Sequence, residues 1–214
     1  MPRKPKYTKE EIAEHSLEII RKQGAQSLTA RELAKELGTT VAPIFVHYSS
    51  MEELKKDVRT LARNRFRDYI RKGLDEKIPF LGVGTRYVRF AREEAEMYRF
   101  LFLSDNVADA KESHCGMDEF ICSQKMVQEC VKDFYRLGDL QTKHFARNMW
   151  LVAHSMATLI VAGGGSFTEE EVGAIYVEFG LSLCKAFKEV PGLAEGTFDK
   201  DELFGQLLDR EQPF

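Results

Sequence analysis

The stretch LTARELAKELGTTVAPIFVHY (residues 28–48) decides how the N-terminal part of this chain folds. Its first half has an amphipathic helical pattern that ends at Gly38, because glycine readily adopts the left-handed conformation that terminates a helix. Its second half is short and almost uncharged. Pro43 fits the first turn of a second helix, where a backbone N–H lacks an intrahelical partner anyway, and Thr40 is the expected N-cap. A helix, a glycine-containing turn and a short second helix predict a helix-turn-helix.

Helix-start signals recur along the rest of the chain. Capping boxes, in which a Ser or Thr precedes a Glu by three residues, occur at Thr8–Glu11, Thr29–Glu32, Ser50–Glu53 and Thr168–Glu171. Apolar residues at helical spacing predict further helices near 81–95, 96–104, 115–137, 141–162 and 168–188, and Asp199 with Glu202 can begin a last short one. We find no alternating strand pattern, so the predicted fold class is all-α.

Charge is divided unevenly along the sequence. Residues 1–73 carry 16 Lys and Arg against 10 Asp and Glu, a net charge of +6, whereas residues 74–214 carry 15 against 24, a net charge of −9. This division favours a polyanion-binding head on a body with another role, although charge alone does not exclude chance segregation. The cations suited to phosphate contacts are Arg3, Lys4, Lys6, Arg31, Lys35, Lys55 and Lys56. The first three could enter a minor groove.

Small side chains occupy the start of the short second helix. Thr39 and Thr40 can bond a base edge or a phosphate, while Val41 and Ala42 can touch a thymine methyl group. Ile44 and Tyr48 lie four residues apart and are placed to pack on the preceding helices. We therefore expect the N-terminal tip of this helix to enter the major groove of DNA.

Taken together, these residues resemble the DNA-binding domain of tetracycline-repressor-like (TetR/AcrR) transcriptional regulators. The resemblance spans about residues 8–60 and rests on Thr29-x-Arg31, Leu33-Ala34, Gly38, the stretch APIFVHY and the following SSMEEL. It implies a helix-turn-helix at 29–48 within a DNA-binding domain over 6–66. It also implies a helical ligand-binding and dimerisation domain over 67–214, and repression that a small molecule relieves.

Individual roles follow from the same resemblance. Thr29 and Arg31 match the start of the helix that braces the DNA backbone, Thr40 matches a polar cap near DNA, and His47 matches a position that often touches phosphate. The complete predicted DNA-binding set is Thr29, Arg31, Thr39, Thr40, Val41, Ala42, Phe45, His47, Tyr48 and Lys55.

Two residues depart from the family pattern. Phe45 stands where a tyrosine hydroxyl usually reaches a phosphate, and Met51 stands where a lysine is common. Each change removes a phosphate contact, so we expect weaker DNA binding with a shallower salt dependence. Lys55, one helical turn after Met51, is a candidate substitute.

In regulators of this kind the last two long helices pair with those of a second subunit. The corresponding helices here are 141–162 and 168–188, which makes a homodimer the expected assembly; the alternative is a monomer that buries these faces internally. The residues expected to face the partner are Val152, Ala153, Met156, Ala157, Leu159, Ile160, Val172, Ile175, Phe179, Leu183 and Phe187.

Aromatic and methionine side chains of the middle helices are the candidates for lining an effector pocket, since such linings suit flat or greasy ligands. They are Tyr87, Phe90, Met97, Tyr98, Phe102, Phe120, Met126, Phe134, Trp150 and His154. The alternative is that these rings are simply the core. Trp150 and His154 also match part of a Trp…His signature of one C-terminal subtype of the family, with Ser155 in place of a glycine.

Three cysteines share one face of a predicted helix and suggest a redox or metal sensor. Cys115, Cys122 and Cys130, next to His114, follow one another at steps of seven and eight residues. Successive thiols on a straight helix would then be about 11 Å apart, too far to bind one ion together. Buried small hydrophobic residues are the better interpretation, and no metal or other cofactor is expected.

Other function classes have little support. No catalytic motif of the GxSxG, HExxH or P-loop type is present, so no enzyme is expected. There is no secretory signal or membrane-length apolar run, and few cysteines are present, which favours the cytoplasm. Operator DNA, a second copy of the chain and a small-molecule effector are the expected partners. A helical binding protein that has lost operator recognition remains the alternative.

Overall fold

The computed structural model describes residues 7–103, 131–132 and 134–208, and this part of the chain contains helices and no strand. The predicted all-α fold class is therefore confirmed. In chain order the helices are α1 Lys9–Gln23, α2 Ala30–Glu36, α3 Ala42–His47, α4 Met51–Arg71, α5 Pro79–Glu93, α6 Ala95–Phe102, α7 Asp139–Ala162, α8 Glu169–Glu189 and α9 Lys200–Leu208. Residues 131–132 and 134–135 are also helical, whereas most of the predicted helix at 115–137 lies outside the described residues.

The predicted capping boxes form completely at two helices and partly at two others. At α1, Glu11 N–H donates to the Thr8 hydroxyl at 3.1 Å, and the Glu11 carboxylate accepts from Thr8 N–H at 2.8 Å. Thr168 and Glu171 repeat this arrangement at α8. At α2 and α4 the Thr29 and Ser50 hydroxyls accept the expected N–H bonds. Their glutamates turn elsewhere because other donors lie closer.

Those competing donors can be named. Glu32 pairs with Lys35 at 3.1 Å on the exposed side of α2. Glu53 accepts from both the backbone N–H and the hydroxyl of Ser49, each at 2.7 Å. Each helix therefore keeps one half of its box, which is enough to satisfy one of the unpaired N–H groups of its first turn.

The turn between α2 and α3 is a Schellman motif. Gly38 has a φ of 59°, its N–H donates to the Lys35 carbonyl at 3.0 Å, and Thr39 N–H donates to the Ala34 carbonyl at 2.9 Å. These two bonds satisfy carbonyl groups at the end of α2. Gly38 thus stops α2 as predicted and sets the direction in which the chain enters α3.

The start of α3 differs from the prediction by one residue. Val41, and not Thr40, is the N-cap, and no side chain caps this helix. Had Thr40 been the N-cap, its hydroxyl would have faced Pro43, which has no N–H to donate. The missing donor removes the advantage of starting the helix at Thr40.

Two residues of the helix-turn-helix fix α3 to the rest of the N-terminal bundle. Ile44 is fully buried and Tyr48 is 2% exposed, as predicted. The Tyr48 hydroxyl donates to the Lys9 carbonyl at 3.1 Å. The Lys9 ammonium lies 4.8 Å from the centre of the Tyr48 ring and 2.8 Å from Asp57 on α4. The inner side of α3 is therefore held by α1 and α4 together.

α4 runs without a break through the predicted domain boundary at 66/67, so the N-terminal bundle and the body share this helix. α5 is the central helix of the body and packs against α4, α7 and α8. Its glycines permit this close packing. A Cβ atom on Gly82 would lie 2.2 Å from the Gly73 carbonyl oxygen, and one on Gly84 would lie 2.2 Å from the Tyr176 ring.

The inward faces of α7 and α8 differ from those predicted. Ala153, Met156 and Ala157 on α7 are at most 5% exposed, and Val172 and Phe187 on α8 are buried as well. These residues form the body core, because α5 offers the apolar surface that the small side chains of α7 can approach closely. Val152, Ile160, Ile175 and Leu183 are half-buried.

A different set of side chains faces outward. Among the predicted residues Leu159 and Phe179 are exposed, and they belong to a group comprising Leu151 at 49%, Leu159 at 44%, Val177 at 39%, Phe179 at 50% and Leu181 at 62% exposure. We call Leu151, Leu159, Val177 and Leu181 the outer face of α7 and α8. Phe179 is not part of it, because it lies two residues from both Val177 and Leu181 and so on a different side of α8. None of the described helices is both long and apolar enough to span a membrane.

We expect Gly82→Ala to destabilise the fold by about 1–3 kcal/mol, because the added methyl group would overlap the backbone of Gly73. Gly173→Ala in α8 is the matched control. A Cβ atom there meets nothing within 4 Å, so this variant should gain up to about 1 kcal/mol from the higher helix propensity of alanine. Urea unfolding followed by circular dichroism measures both. Equal effects of the two substitutions would contradict the close approach of Gly73 and Gly82.

Candidate nucleic-acid interface and buried histidine cluster

α3 presents an apolar surface to solvent. Val41 is 39% exposed, Phe45 is 45% exposed and Val46 is 70% exposed, and Ala42 is exposed as well. Residues 41 and 45, and residues 42 and 46, are four apart, so the four side chains lie together on the side of α3 opposite Ile44. We call them the α3 patch. This short helix is thus buried on one side and open on the other.

Hydroxyl groups and cations occur on the segments that precede and follow α3 in the chain. Thr40 is exposed and Thr39 is half-buried at the N-terminal side of α3. Arg31 on α2 is exposed, and it makes no ion pair with any described residue. Lys55 is half-buried on the second turn of α4. The exposed N-cap Thr29 uses its oxygen to accept from Glu32 N–H, which leaves its O–H group available as a donor.

His47 and Tyr48 occupy less open positions than the sequence prediction assumed. His47 Nε2 lies 2.9 Å from the carbonyl oxygen of Tyr7. Because a carbonyl only accepts, Nε2 carries the proton in this bond, and only Nδ1 remains for another partner. Tyr48 corrects the predicted DNA-binding set, because its side chain lies in the core with its hydroxyl on the Lys9 carbonyl. Its role is to position α3.

The two departures from the family pattern also have defined positions. Phe45 is exposed and has no hydroxyl group to reach a phosphate. Met51, at the first position of α4, is half-buried and packs against the hydrophobic core of the bundle. Lys55 is one turn further along the same helix. The predicted basic arm of Arg3, Lys4 and Lys6 lies outside the described residues.

A compact bundle in which a Schellman turn joins α2 to a short α3, buried on one side and exposed on the other, is a helix-turn-helix domain. Residues 11–58 match the model for bacterial regulatory proteins of the tetR family. The N-terminal part of the chain is therefore a DNA-binding domain of the tetR family of transcriptional regulators, which confirms the resemblance found in the sequence. No curated protein matches the chain.

Solved structures share the overall fold. A protein of unknown function from Rhodococcus sp. RHA1 aligns with a TM-score of 0.66 at 19% identity, over 85% of this chain and 100% of its own. A proposed transcriptional regulator from Pseudomonas aeruginosa PAO1 aligns with a TM-score of 0.65 at 13% identity, over 87% and 95%. A TetR-family member from Streptomyces coelicolor A3 aligns with a TM-score of 0.57 at 14% identity, over 78% and 95%. At these identities the similarity establishes the fold.

The body holds a polar cluster inside an aromatic core. Its centre is His154 on α7, whose Nδ1 lies 3.0 Å from the Tyr87 hydroxyl and 2.9 Å from the Tyr98 hydroxyl. The Tyr98 hydroxyl also lies 3.0 Å from the hydroxyl of Thr158. The Trp150 ring stacks on the imidazole with 4.9 Å between ring centres. We call these five residues the His154 cluster.

Burial sets the protonation state of the cluster. Loss of hydration lowers the pKa of His154 below its ordinary value, and burial raises the pKa of Tyr87 and Tyr98. The imidazole and both phenols are therefore uncharged at neutral pH. A neutral ring protonated on Nε2 leaves one lone pair on Nδ1, which accepts from one of the two tyrosine hydroxyls at a time.

Most of the predicted lining residues that the structure describes are found together. Phe102 lies 6.0 Å from the imidazole between ring centres and 4.9 Å from the Tyr98 ring. Phe90 and Met97 are buried in the same core. Phe134 is not brought to the cluster; it is 55% exposed and contacts Tyr135. Phe120 and Met126 lie outside the described residues.

Sequence reasoning missed two features of the body. Thr158 joins the cluster because it lies one helical turn after His154, a spacing that could have indicated it. A cleft of about 100 Å³ lies between α5 and α8 and is lined by Thr85, Val88, Arg89, Arg92, Glu169 and Val172. It is much smaller than typical ligand pockets.

The cysteines Cys115, Cys122 and Cys130 lie outside the described residues, as does His114, and the fourth, Cys184, is buried in α8.

Charged side chains connect the DNA-binding domain to the body. Arg21 on α1 donates from two nitrogens to the Glu94 carboxylate between α5 and α6, with Nε at 2.8 Å. Arg59 on α4 donates to the carbonyl of Phe100 at 2.8 Å and lies over its ring. α6, which also carries Tyr98, therefore touches α1 and α4 directly.

We expect His154 to make the folded state sensitive to mild acid. In the unfolded chain its pKa returns to about 6.5, so below that pH the unfolded state binds a proton that the folded state does not. Stability then falls as pH is lowered, by at most about 1.4 kcal/mol per pH unit for one group. Urea unfolding at pH 7.5 and 5.5 measures the loss, which should be smaller in His154→Gln. The same loss in both proteins would contradict a neutral buried imidazole.

Proposed function

We propose that this protein is a homodimeric transcriptional repressor that binds an operator through α3 and releases it when a small-molecule effector binds the body. The observation that carries the proposal is the match of residues 11–58 to the tetR family model, together with the exposed outer side of α3 and the exposed Arg31 on α2. Such a helix enters the major groove while neighbouring helices contact the backbone. The head supplies a net charge of +6 over residues 1–73.

Phosphate contacts from the head would account for most of the affinity. Arg31 and the O–H group of Thr29 lie at the start of α2, and Lys55 lies near the start of α4, so the helices before and after α3 each carry a cation. Contacts of this kind fix the orientation of the protein without reading sequence. Each cation that neutralises a phosphate contributes about one unit to the slope of log affinity against log salt concentration.

We expect the protein to give a sequence-preferring band in a gel-shift assay with DNA from upstream of its own gene. Arg31→Ala should weaken binding and reduce the salt slope by about one unit, because one phosphate contact is lost. Lys200→Ala is the matched control, since this exposed lysine begins α9, outside the DNA-binding domain and outside α7 and α8. Absence of any sequence-preferring band at low salt would favour the alternative of a helical binding protein without operator recognition.

A dimer is supported by the outer face of α7 and α8. Its four apolar side chains are between 39% and 62% exposed on two helices that pack against each other, and exposed apolar surface commonly marks interaction sites. Pairing of both helices with those of a second copy would form a four-helix bundle. Operator binding also favours a symmetric pair, because one recognition helix reads only a few base pairs.

We expect Leu181→Glu to convert the dimer into a monomer, since it places a charge in the middle of the outer face. Phe204→Glu is the matched control, because Phe204 on α9 has the same 62% exposure as Leu181 but lies off that face. Analytical ultracentrifugation at micromolar concentration gives the mass of each. The monomer should also bind operator DNA at least about tenfold more weakly, because only one half-site is engaged. A Leu181→Glu protein that remains dimeric would overturn this interface.

The His154 cluster is the proposed effector site. Its uncharged hydrogen-bonding groups lie among aromatic rings, which suits a flat apolar molecule with one polar group. A ligand that moved Tyr98 would act on α6, and α6 contacts α1 and α4 through Arg21, Glu94 and Arg59. The effector would then favour a spacing of the two recognition helices that no longer matches successive major grooves.

A further inference from the structure

The exposed side of α3 carries almost no group that can form a hydrogen bond with a base. Its four outward side chains are Val41, Ala42, Phe45 and Val46, and Val46, at 70% exposure, is the most exposed of the large hydrophobic residues that the structure describes. The only titratable side chain of α3 is His47, which is half-buried and bonded to the Tyr7 carbonyl. No Arg, Lys, Asn or Gln occurs in residues 38–50.

The lack of these polar side chains limits which bases α3 can recognise. Guanine is usually recognised by a bidentate Arg or Lys, and adenine by a bidentate Asn or Gln, and α3 carries none of these. The apolar feature that bases display in the major groove is the C5-methyl group of thymine. Contact between an apolar patch and a thymine methyl group therefore lowers the free energy of binding. At the other bases the same patch leaves polar groups of the base edge without a hydrogen-bonding partner.

We infer that the α3 patch selects operator DNA through thymine methyl groups, so that each half-site is recognised largely by apolar contact. This inference rests on the proposed function, because it requires α3 to enter the major groove. The occupant of the patch is duplex DNA and not a protein, since residues 1–73 carry a net charge of +6 and the exposed Arg31 lies on α2 of the same helix-turn-helix. Thr39 and Thr40 add hydroxyl contacts at one end of the patch.

Uracil provides a direct test, because it pairs like thymine but lacks only the methyl group. Operators are first selected from random duplexes with the full-length protein, and the selected half-sites should contain thymine at the contacted positions. Replacing one of these thymines by uracil should weaken binding about fourfold, the factor expected for burial of one methyl group. Symmetric replacement in both half-sites should weaken it about fifteenfold. Uracils placed outside the half-sites should have no effect.

A pair of protein variants identifies the responsible side chains. Val46→Thr keeps the shape of the side chain but exchanges a methyl group for a hydroxyl, so it should reduce the preference for thymine over uracil. Phe45→Tyr keeps the ring and adds a hydroxyl that can reach a phosphate. It should strengthen binding to the thymine and uracil duplexes equally and leave their ratio unchanged.

The outcomes separate the two proposals. Sequence-selective binding that is insensitive to uracil, or selected half-sites without thymine at contacted positions, would overturn the methyl readout while leaving operator binding intact. Failure to enrich any sequence from random duplexes at low salt would overturn both. A thymine preference that Val46→Thr does not alter would remove Val46 from the reading surface and with it the patch as the source of selectivity.

Discussion

The arrangement of the DNA-binding domain depends on the burial of Ile44 and Tyr48 against α1 and α4. α3 has only six residues, far fewer than an isolated helix needs to be stable in water. Packing must therefore supply its stability, and the two buried side chains supply that packing. Because they occupy one side of the helix, the positions between them are forced outward. The same contact that allows α3 to exist also decides which residues it presents to a groove.

The Tyr48 hydroxyl extends this constraint to the body. It binds the Lys9 carbonyl, and Lys9 in turn pairs with Asp57 on α4. α4 continues past residue 66 into the body, and its Arg59, which lies before that boundary, donates to the Phe100 carbonyl of α6. α1 and α4 therefore form a continuous set of contacts between α6 and α3. The His154 cluster lies at the other end of this chain of contacts, through Tyr98.

The sequence predicted the helices well because their signals are local. Capping residues, glycine stops and helical periodicity act within a few residues, and Thr8, Gly38 and Thr168 behave as expected. The faces of α7 and α8 were predicted less well, because both sides of these helices are apolar. Only the position of α5 decides that Ala153 and Ala157 point inward and that Leu151 and Leu181 point outward.

The residues of the candidate site likewise divide into those that local sequence signals predict and those that depend on long-range packing. Trp150 and His154 were identifiable as a pair from their spacing, but Thr158 and the meeting of Tyr87 with Tyr98 depend on how three helices cross. Tyr48 was assigned to the DNA interface from the resemblance, whereas burial places it in the core. Thr40 is not the N-cap that was predicted, and the sequence itself contains the reason, because Pro43 has no N–H group for the Thr40 hydroxyl to accept from. Long-range packing accounts for the other differences.

Affinity and selectivity in this domain arise from different residues. In the proposed complex Phe45 and Met51 would lack two phosphate contacts that a hydroxyl or an ammonium makes, and such contacts are sequence-independent. The apolar replacement at 45 adds surface to the α3 patch, where contact depends on the base that is present. Losing non-specific attraction lowers binding to all DNA, while the apolar contact is retained only at matching sites. The ratio of specific to non-specific binding, which governs occupancy in a genome, is therefore less impaired than the affinity itself.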